Sequence, residues 1–295
     1  MPDIFTRKAV LVSLLLLITG FTQGCATRGD LSKQGEQAGT DSSMQAAQRA
    51  EDAGKPVEVL FHYDRVLQRE PGNRHALMGS GRASRDIGEL ELAEGYFSRV
   101  IINNPDDVEA LERRGLARIL MGRHEQAKKD LQLVTQLSPE RWRSWNGLGV
   151  LAGIQSDNEA SEQFYRKALA ILPDYSPLLN NLGYTLMLTR QYAEAEQVLR
   201  AGLVHAPNNI GLINNLGLTL AWSGRYDEAL KILGNGIGRA QAHNNIGYVA
   251  MQKKDYKLAI SHFENALKLK PTFYVLAAEN LKKARLGLKH RTAVH

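Results

Sequence analysis

The 295-residue chain has a single cysteine, Cys25, so no intrachain disulfide framework and no cysteine metal site are available to it. Its eight histidines, His62, His75, His124, His205, His243, His262, His290 and His295, are scattered through the sequence. His124-Glu125 lacks the second histidine of a zinc-protease helix, so metal-assisted hydrolysis has no ligand set to work with. Long apolar runs are also missing. The longest lies at the amino terminus, Ala9 to Ile18, and is too short to span a bilayer comfortably. One glycine-rich stretch, GNGIGRA over 234–240, imitates a phosphate loop through Gly234, Gly236 and Gly238, but no strand pattern precedes it. Carboxylates such as Glu194 and Glu196 fall on repeating helical patterns, where solvent-facing charge is the ordinary role. The expectation is no catalytic residues, no metal, no cofactor and no small-molecule substrate.

What the chain does have is a period. Pro71, Pro105, Pro139, Pro173 and Pro207 recur every 34 residues, and Gly81, Gly115, Gly149 and Gly183 stand 24 residues before the last four. Twelve residues after each of several glycines comes an alanine: Ala93 after Gly81, Ala127 after Gly115, Ala195 after Gly183, Ala229 after Gly217 and Ala259 after Gly247. Bulky residues follow at Tyr63, Phe97, Leu131, Tyr165, Leu199, Leu233 and Phe263. Gly88, Gly122 and Gly224 fall where a first helix would end. This spacing identifies tetratricopeptide repeats, each a helix–turn–helix unit. The predicted fold is all-α: a right-handed superhelical solenoid of about seven repeats with a C-terminal capping helix. Stacked pairs of this kind form an extended concave groove suited to protein partners. Each glycine is expected to face its alanine across the helix pair, and each bulky residue to pack on the following repeat.

Two units depart from the pattern. The first, about 40–73, has Ala47 at the glycine position. The sixth is short: from Gly217 to Gly247 the spacing is 30 rather than 34, which predicts a shortened second helix near 234–240 and a local kink. The repeat domain is placed at 44–271. Residues 272–295 follow as a cap and tail, with Tyr274, Leu276, Ala277, Leu281 and Ala284 on its apolar face and Lys282, Lys283 and Arg285 on the other.

The amino terminus has the parts of a secretory signal over 1–24: Arg7 and Lys8, then the apolar run, then small residues ending at Gly24. The sole cysteine follows directly. The arrangement resembles a bacterial lipoprotein signal, although Thr22 stands where such signals favour leucine. By that resemblance Cys25 is lipidated, and Ala26, in place of an aspartate, points to the outer membrane. Residues 25–43 are nearly free of apolar side chains and read as a flexible tether, reaching roughly 20–25 Å. The formal net charge is +6; residues 1–24 hold Arg7, Lys8 and Asp3 (net +1), which leaves +5 beyond them. The basic residues are spread over many helices, and 108–120 mixes both signs, so solvated helix faces are expected and nucleic acid is not.

First helices line the concave face in this repeat class. Helical spacing then turns inward the positions three before, one after and four after each glycine. In the C-terminal half these are Asn180, Asn214 and Asn244; Tyr184, Leu218 and Tyr248; and Met187, Ala221 and Met251, with Trp222 alongside. An amide ladder beside an aromatic and methionine strip can bond an extended backbone and receive its side chains. The second asparagines, Asn181, Asn215 and Asn245, are common in this repeat class and have helix packing as an alternative role. In the N-terminal half the same positions hold Met78, Glu112 and Asn146; Arg82, Leu116 and Val150; and Arg85, Ile119 and Gly153, a more charged surface.

With its lipoprotein-like signal, seven repeats and the runs WNGLGV (145–150), NNLGYTL (180–186) and NNLGLTLAWSGRYDEAL (214–230), the chain resembles the TadD-like repeat lipoproteins of the tight-adherence (Flp) pilus assembly system. The resemblance covers most of 40–271. It implies an outer-membrane, lipid-anchored assembly factor facing the periplasm that binds a secretin or other pilus components. The type IV pilus pilotin lipoproteins, or an envelope adaptor recruiting peptidoglycan enzymes, are the alternatives.

Overall fold

The computed structural model describes residues 28–270 and 274–293, with side chains over 39–270 and 274–291. Among the described residues there are fifteen α-helices and no strand. Seven hairpins follow one another: α1 (Arg28–Asp52) with α2 (Pro56–Arg69), α3 (Arg74–Asp86) with α4 (Leu90–Asn103), α5 (Val108–Leu120) with α6 (His124–Leu137), and α7 (Trp142–Ile154) with α8 (Asn158–Ile171). Then come α9 (Ser176–Leu188) with α10 (Tyr192–His205), α11 (Ile210–Trp222) with α12 (Tyr226–Ile237), and α13 (Arg239–Gln252) with α14 (Tyr256–Leu269). The last, α15 (Val275–Ala293), packs on α14 and caps the stack. Each helix packs on its sequence neighbours, and among the first helices α5 also packs on α7 and α11 on both α9 and α13. The result is a solenoid of helix pairs with one continuous row of first helices.

Local sequence starts and stops these helices. Asn73, Asp107, Asp157, Asn209 and Asp255 each accept a hydrogen bond from the backbone N–H three residues on, satisfying a donor that the helix leaves open. Past the first helices the chain turns through the left-handed region at Gly88, Gly122 and Gly224, with φ of 85°, 72° and 91°. Ser156, Arg190 and Lys254 hold the same place at φ of 61–63°, a conformation their side chains make costly. Each periodic proline lies two residues beyond a second helix.

Inside the stack the glycines play a second part beyond the one expected. Added Cβ atoms on Gly115, Gly149, Gly183 and Gly247 would stand 2.8, 2.6, 2.5 and 2.7 Å from Leu131, Tyr165, Leu199 and Phe263. The glycine therefore makes room for the bulky residue of its own repeat, 16 positions on. Leu131 also fills the space beside Gly147 of the next first helix, so it is wedged between two first helices. The alanine positions are fully buried. Where serine replaces alanine, Ser161 Oγ donates to the Gly149 carbonyl at 2.9 Å, so that position abuts the glycine's backbone.

The sixth unit loses its four residues in an identifiable way. Helix α12 has 12 residues where α10 has 14, and the connection to α13 is Gly238 alone, whereas 206–209 link α10 to α11. Helix α13 in turn has 14 residues where α11 has 13, so two plus three less one gives four. Gly238 makes the tight link at φ 88°, and a side chain on Gly236 would strike Ile213. Gly236 thus serves close packing and Gly238 the backbone turn.

Two expectations need correction. The segment read as a tether over 25–43 is helical from Arg28 onward. Thr40 and Ser43 are buried, and Gly39 lies against the Arg69 guanidinium, so packing begins before residue 44. No proline interrupts 28–43, and a helix whose far end is packed extends at little cost once nucleated. On α15, Ala277, Leu281 and Ala284 are buried as expected, but Leu276 is exposed and Asn280 takes a place in the buried face. The signal-like segment and Cys25 lie outside the described residues.

Candidate partner-binding groove

The first helices α3, α5, α7, α9, α11 and α13 present a shared row of positions. One residue after each glycine come Tyr184, Leu218 and Tyr248. Four residues further on, one helical turn along the same face, stand Leu120, Ile154, Leu188 and Trp222 at a spacing of 34. Tyr184, Leu188 and Tyr248 are 45–46% exposed, Ile154 is 50% and Leu120 is 67%. Leu218 and Trp222 are half-buried against the cores of the fifth and sixth repeats. A row of large apolar side chains facing solvent on successive repeats is the surface such solenoids offer to extended segments. The second member of the row, Leu120, Ile154 and Leu188, was missed by counting only three positions per helix, although its period of 34 stands in the sequence.

The remaining expected groove residues divide. Asn180, Asn214 and Met251 are partly exposed, while Met187 and Asn244 are buried and do not reach solvent. The asparagines form a ladder, but it runs along the stack. Asn181 donates its side-chain amide to the Asn146 oxygen at 3.1 Å, Asn215 to Asn180 at 2.9 Å, Asn245 to Asn214 at 3.0 Å and Asn280 to Asn244 at 3.2 Å. The first asparagine of each unit thus spends its acceptor on the second asparagine of the next. These amides join repeats, which leaves the apolar row as the partner-facing element.

At the N-terminal end, Met78 and Glu112 are buried, and Arg82 donates to Glu51 at 2.7 Å. Glu112 accepts from Ser144 Oγ at 3.0 Å and from Arg141 at 3.4 Å. The expectation of solvated charge on 108–120 fails at Arg114 and Arg118. Both are largely buried and share Asp130, with bonds of 2.7–2.9 Å, while Arg118 also reaches Glu94 at 2.7 Å. They occupy the positions one before and three after Gly115, which hold Leu182 and Leu186 in the fifth repeat and Leu216 and Leu220 in the sixth. An ionic layer there replaces the hydrophobic one.

Among the described residues two histidines form a close pair. His243 Nδ1 and His262 Nδ1 are 3.0 Å apart across α13 and α14, so one ring carries its proton at Nδ1 and the other offers a lone pair. Burial, and then the proximity of His243, push His262 down to about 4, with Asp227 opposing. Among the described residues no group of three or more histidine, cysteine, aspartate or glutamate side chains could hold a metal ion, and no helix is long and apolar enough to cross a membrane.

Models of the tetratricopeptide repeat match residues 44–108 and 112–176, 164–197, 210–243 and 240–273, together well over half of the chain. The chain belongs to the tetratricopeptide repeat family. No curated protein matches it. Among solved structures, a tetratricopeptide repeat protein from Parabacteroides merdae superposes with a TM-score of 0.61 at 16% identity, covering 84% of this chain and 99% of that one. The C-terminal part of a repeat-containing protein from Cytophaga hutchinsonii gives 0.61 at 14% identity, covering 80% and 98%. YrrB, described as a repeat protein with an unusual peptide-binding site, gives 0.51 at 21% identity, covering 63% and 97%. At these identities the likeness is one of fold. Tetratricopeptide repeat proteins typically act as scaffolds that bind protein partners through such surfaces.

Proposed function

We propose that this chain is a lipid-anchored outer-membrane scaffold that holds an extended segment of an envelope protein in its groove and has no catalytic activity of its own. The observation that carries the reading is the apolar row Leu120, Ile154, Tyr184, Leu188 and Tyr248, open to solvent on the first helices α5, α7, α9 and α13. YrrB's peptide-binding site supports the same use of a similar fold. The lipid anchor rests on Cys25 after the short apolar run, and the role in tight-adherence pilus assembly rests on the resemblance of 145–150, 180–186 and 214–230 to that lipoprotein family. The partner in that setting is the pilus secretin or a neighbouring component.

The test is the amount of secretin assembled in the outer-membrane fraction of cells carrying three forms of the chain: unaltered, Cys25→Ser, and the double variant Tyr184→Ala with Leu188→Ala. Both altered forms are expected to lower it, the first by releasing the scaffold from the membrane and the second by removing apolar contacts while the scaffold stays anchored. Unchanged secretin assembly in both would remove the pilus assignment.

A further inference from the structure

Helix α15 carries almost all of the chain's charge imbalance. Beyond residue 24 the formal net charge is +5, and α15 supplies +4 of it: Lys282, Lys283, Arg285, Lys289 and Arg291 against Glu279 alone. That leaves +1 for all the other residues from 25 onward. The repeats are close to neutral, and the cap is strongly cationic.

One side of α15 is spent on the stack. Ala277, Leu281 and Ala284 are buried, Asn280 donates to Asn244 at 3.2 Å, and a side chain on Gly287 would strike Tyr256 of α14. The other side faces solvent. Val275 and Leu286 are 47% and 48% exposed and lie about three turns apart on one line of the helix. By the same spacing Lys282 and Lys289 flank that line on one side, and Lys283 and His290 on the other; all four are exposed. A recess of about 270 Å³ opens there, lined by Ala278, Leu281, Lys282, Arg285, Leu286 and Lys289, with no carboxylate among them. Two carboxylates lie nearby. Glu279 is on α15 itself, and Glu264 of α14 meets Arg285 at 2.8 Å as an exposed pair, weak in water.

Cations interspersed with exposed aliphatic side chains on one helix face suit the interface of an anionic bilayer. Headgroups pair with the cations there, and the aliphatic tips enter the acyl boundary. The face is the outer surface of a single helix backed by the stack, a shape that meets a flat surface along its length. We propose that the outward face of α15 docks on an anionic phospholipid surface, with Lys282, Lys283 and Lys289 at the headgroups and Val275 and Leu286 dipping below them. The contact is distinct from the groove on the first helices and needs no lipid on Cys25, so it stands or falls separately from the scaffold reading.

The test is co-sedimentation of the chain from residue 25 onward, which keeps every described helix, with Cys25→Ser so that it carries no lipid. The vesicles are phosphatidylcholine alone, or phosphatidylcholine and phosphatidylglycerol in equal parts. Binding is expected to the anionic vesicles only, and it should weaken as salt rises. Each lysine near an anionic surface is worth about fivefold in affinity, so Lys282→Gln with Lys283→Gln should bind about 25-fold more weakly. Lys128→Gln with Lys129→Gln on α6 removes the same charge far from the cap and should stay within about twofold of the parent. Val275→Ala with Leu286→Ala should also weaken binding, and circular dichroism checks the fold of every variant. Failure to sediment with anionic vesicles, equal loss in both lysine pairs, or unchanged binding of the Val275–Leu286 variant overturns the proposal. Capture of fluorescent polyglutamate through Lys282 and Lys283 without capture of vesicles would mark the face as a site for an acidic protein, and overturns it too.

Discussion

A glycine inside a helix ordinarily costs about 1 kcal/mol relative to alanine because it frees the unfolded backbone and packs nothing. Gly183 reverses that rule, because a methyl there would press on Leu199 at 2.5 Å. Gly183→Ala is expected to destabilise the chain by about 1–3 kcal/mol through overpacking. Gly95, mid-way along α4 with open space where a Cβ would go, is the control. Gly95→Ala should leave stability unchanged or raise it by up to about 1 kcal/mol. Denaturant melts of the two variants check this, and the opposite signs matter more than the sizes. The 34-residue grammar makes the glycine legible in sequence, but spacing alone does not say which neighbour occupies the space it leaves, and the alanine looked the natural partner. The asparagines teach the same lesson. A doubled Asn in three units is visible at once, whereas the bond from Asn215 to Asn180 joins residues 35 apart and needs the stacking geometry. Asn180→Ala is therefore expected to weaken the joint between the fifth and sixth repeats by about 0.5–1.5 kcal/mol, as a downward shift in the melting midpoint.

At the scale of elements, the stack is held by two kinds of layer. Leucine pairs fill the joints of the C-terminal repeats, and the Arg114–Arg118–Asp130–Glu94 layer fills the joint of α4, α5 and α6. Removing Asp130 leaves the buried Arg114 guanidinium with no carboxylate and Arg118 with Glu94 alone, so Asp130→Ala should cost about 3–5 kcal/mol. Replacing Arg114, Arg118 and Asp130 together by leucine should be far milder than the single change, because the one charge left in the layer, Glu94, keeps Arg123 as its partner. Stability curves of the two variants separate these outcomes. The arginines were legible: counted from Gly115 they fall where other repeats have leucine, yet a mixed-charge helix was read as a solvated face. The histidine pair of α13 and α14 was not legible, since His243 and His262 lie on different helices. Both have lowered pKa values in the folded chain, His262 to about 4, chiefly through burial. The unfolded chain therefore takes up protons first as pH falls. The pair's contribution is complete above about 6.5 and is lost as pH drops toward 4, amounting to about 1–3 kcal/mol after allowance for partial exposure. Comparing denaturation midpoints at pH 7.5 and 4.5 should show this loss, and His262→Leu should flatten it.

For the whole molecule, seven hairpins and a cap give a surface much longer than any single repeat, and each repeat touches only its neighbours. That architecture was readable from proline and glycine spacing, down to the shortened sixth unit. The helix running back to Arg28 was not, because a polar stretch shows no packing pattern of its own and extends a helix anchored at its other end. The central claim is that partners dock on the row of first helices and not on the far ends of the second helices, where Ile102 and Val204 are also highly exposed. Site-specific photocrosslinking in cells measures this directly, with the crosslinker placed in turn at Tyr184, Leu188, Ile102 and Val204. The account predicts the same defined adduct from Tyr184 and Leu188 and none of it from Ile102 or Val204. Silence at the two groove positions, or the same adduct from all four, would contradict it.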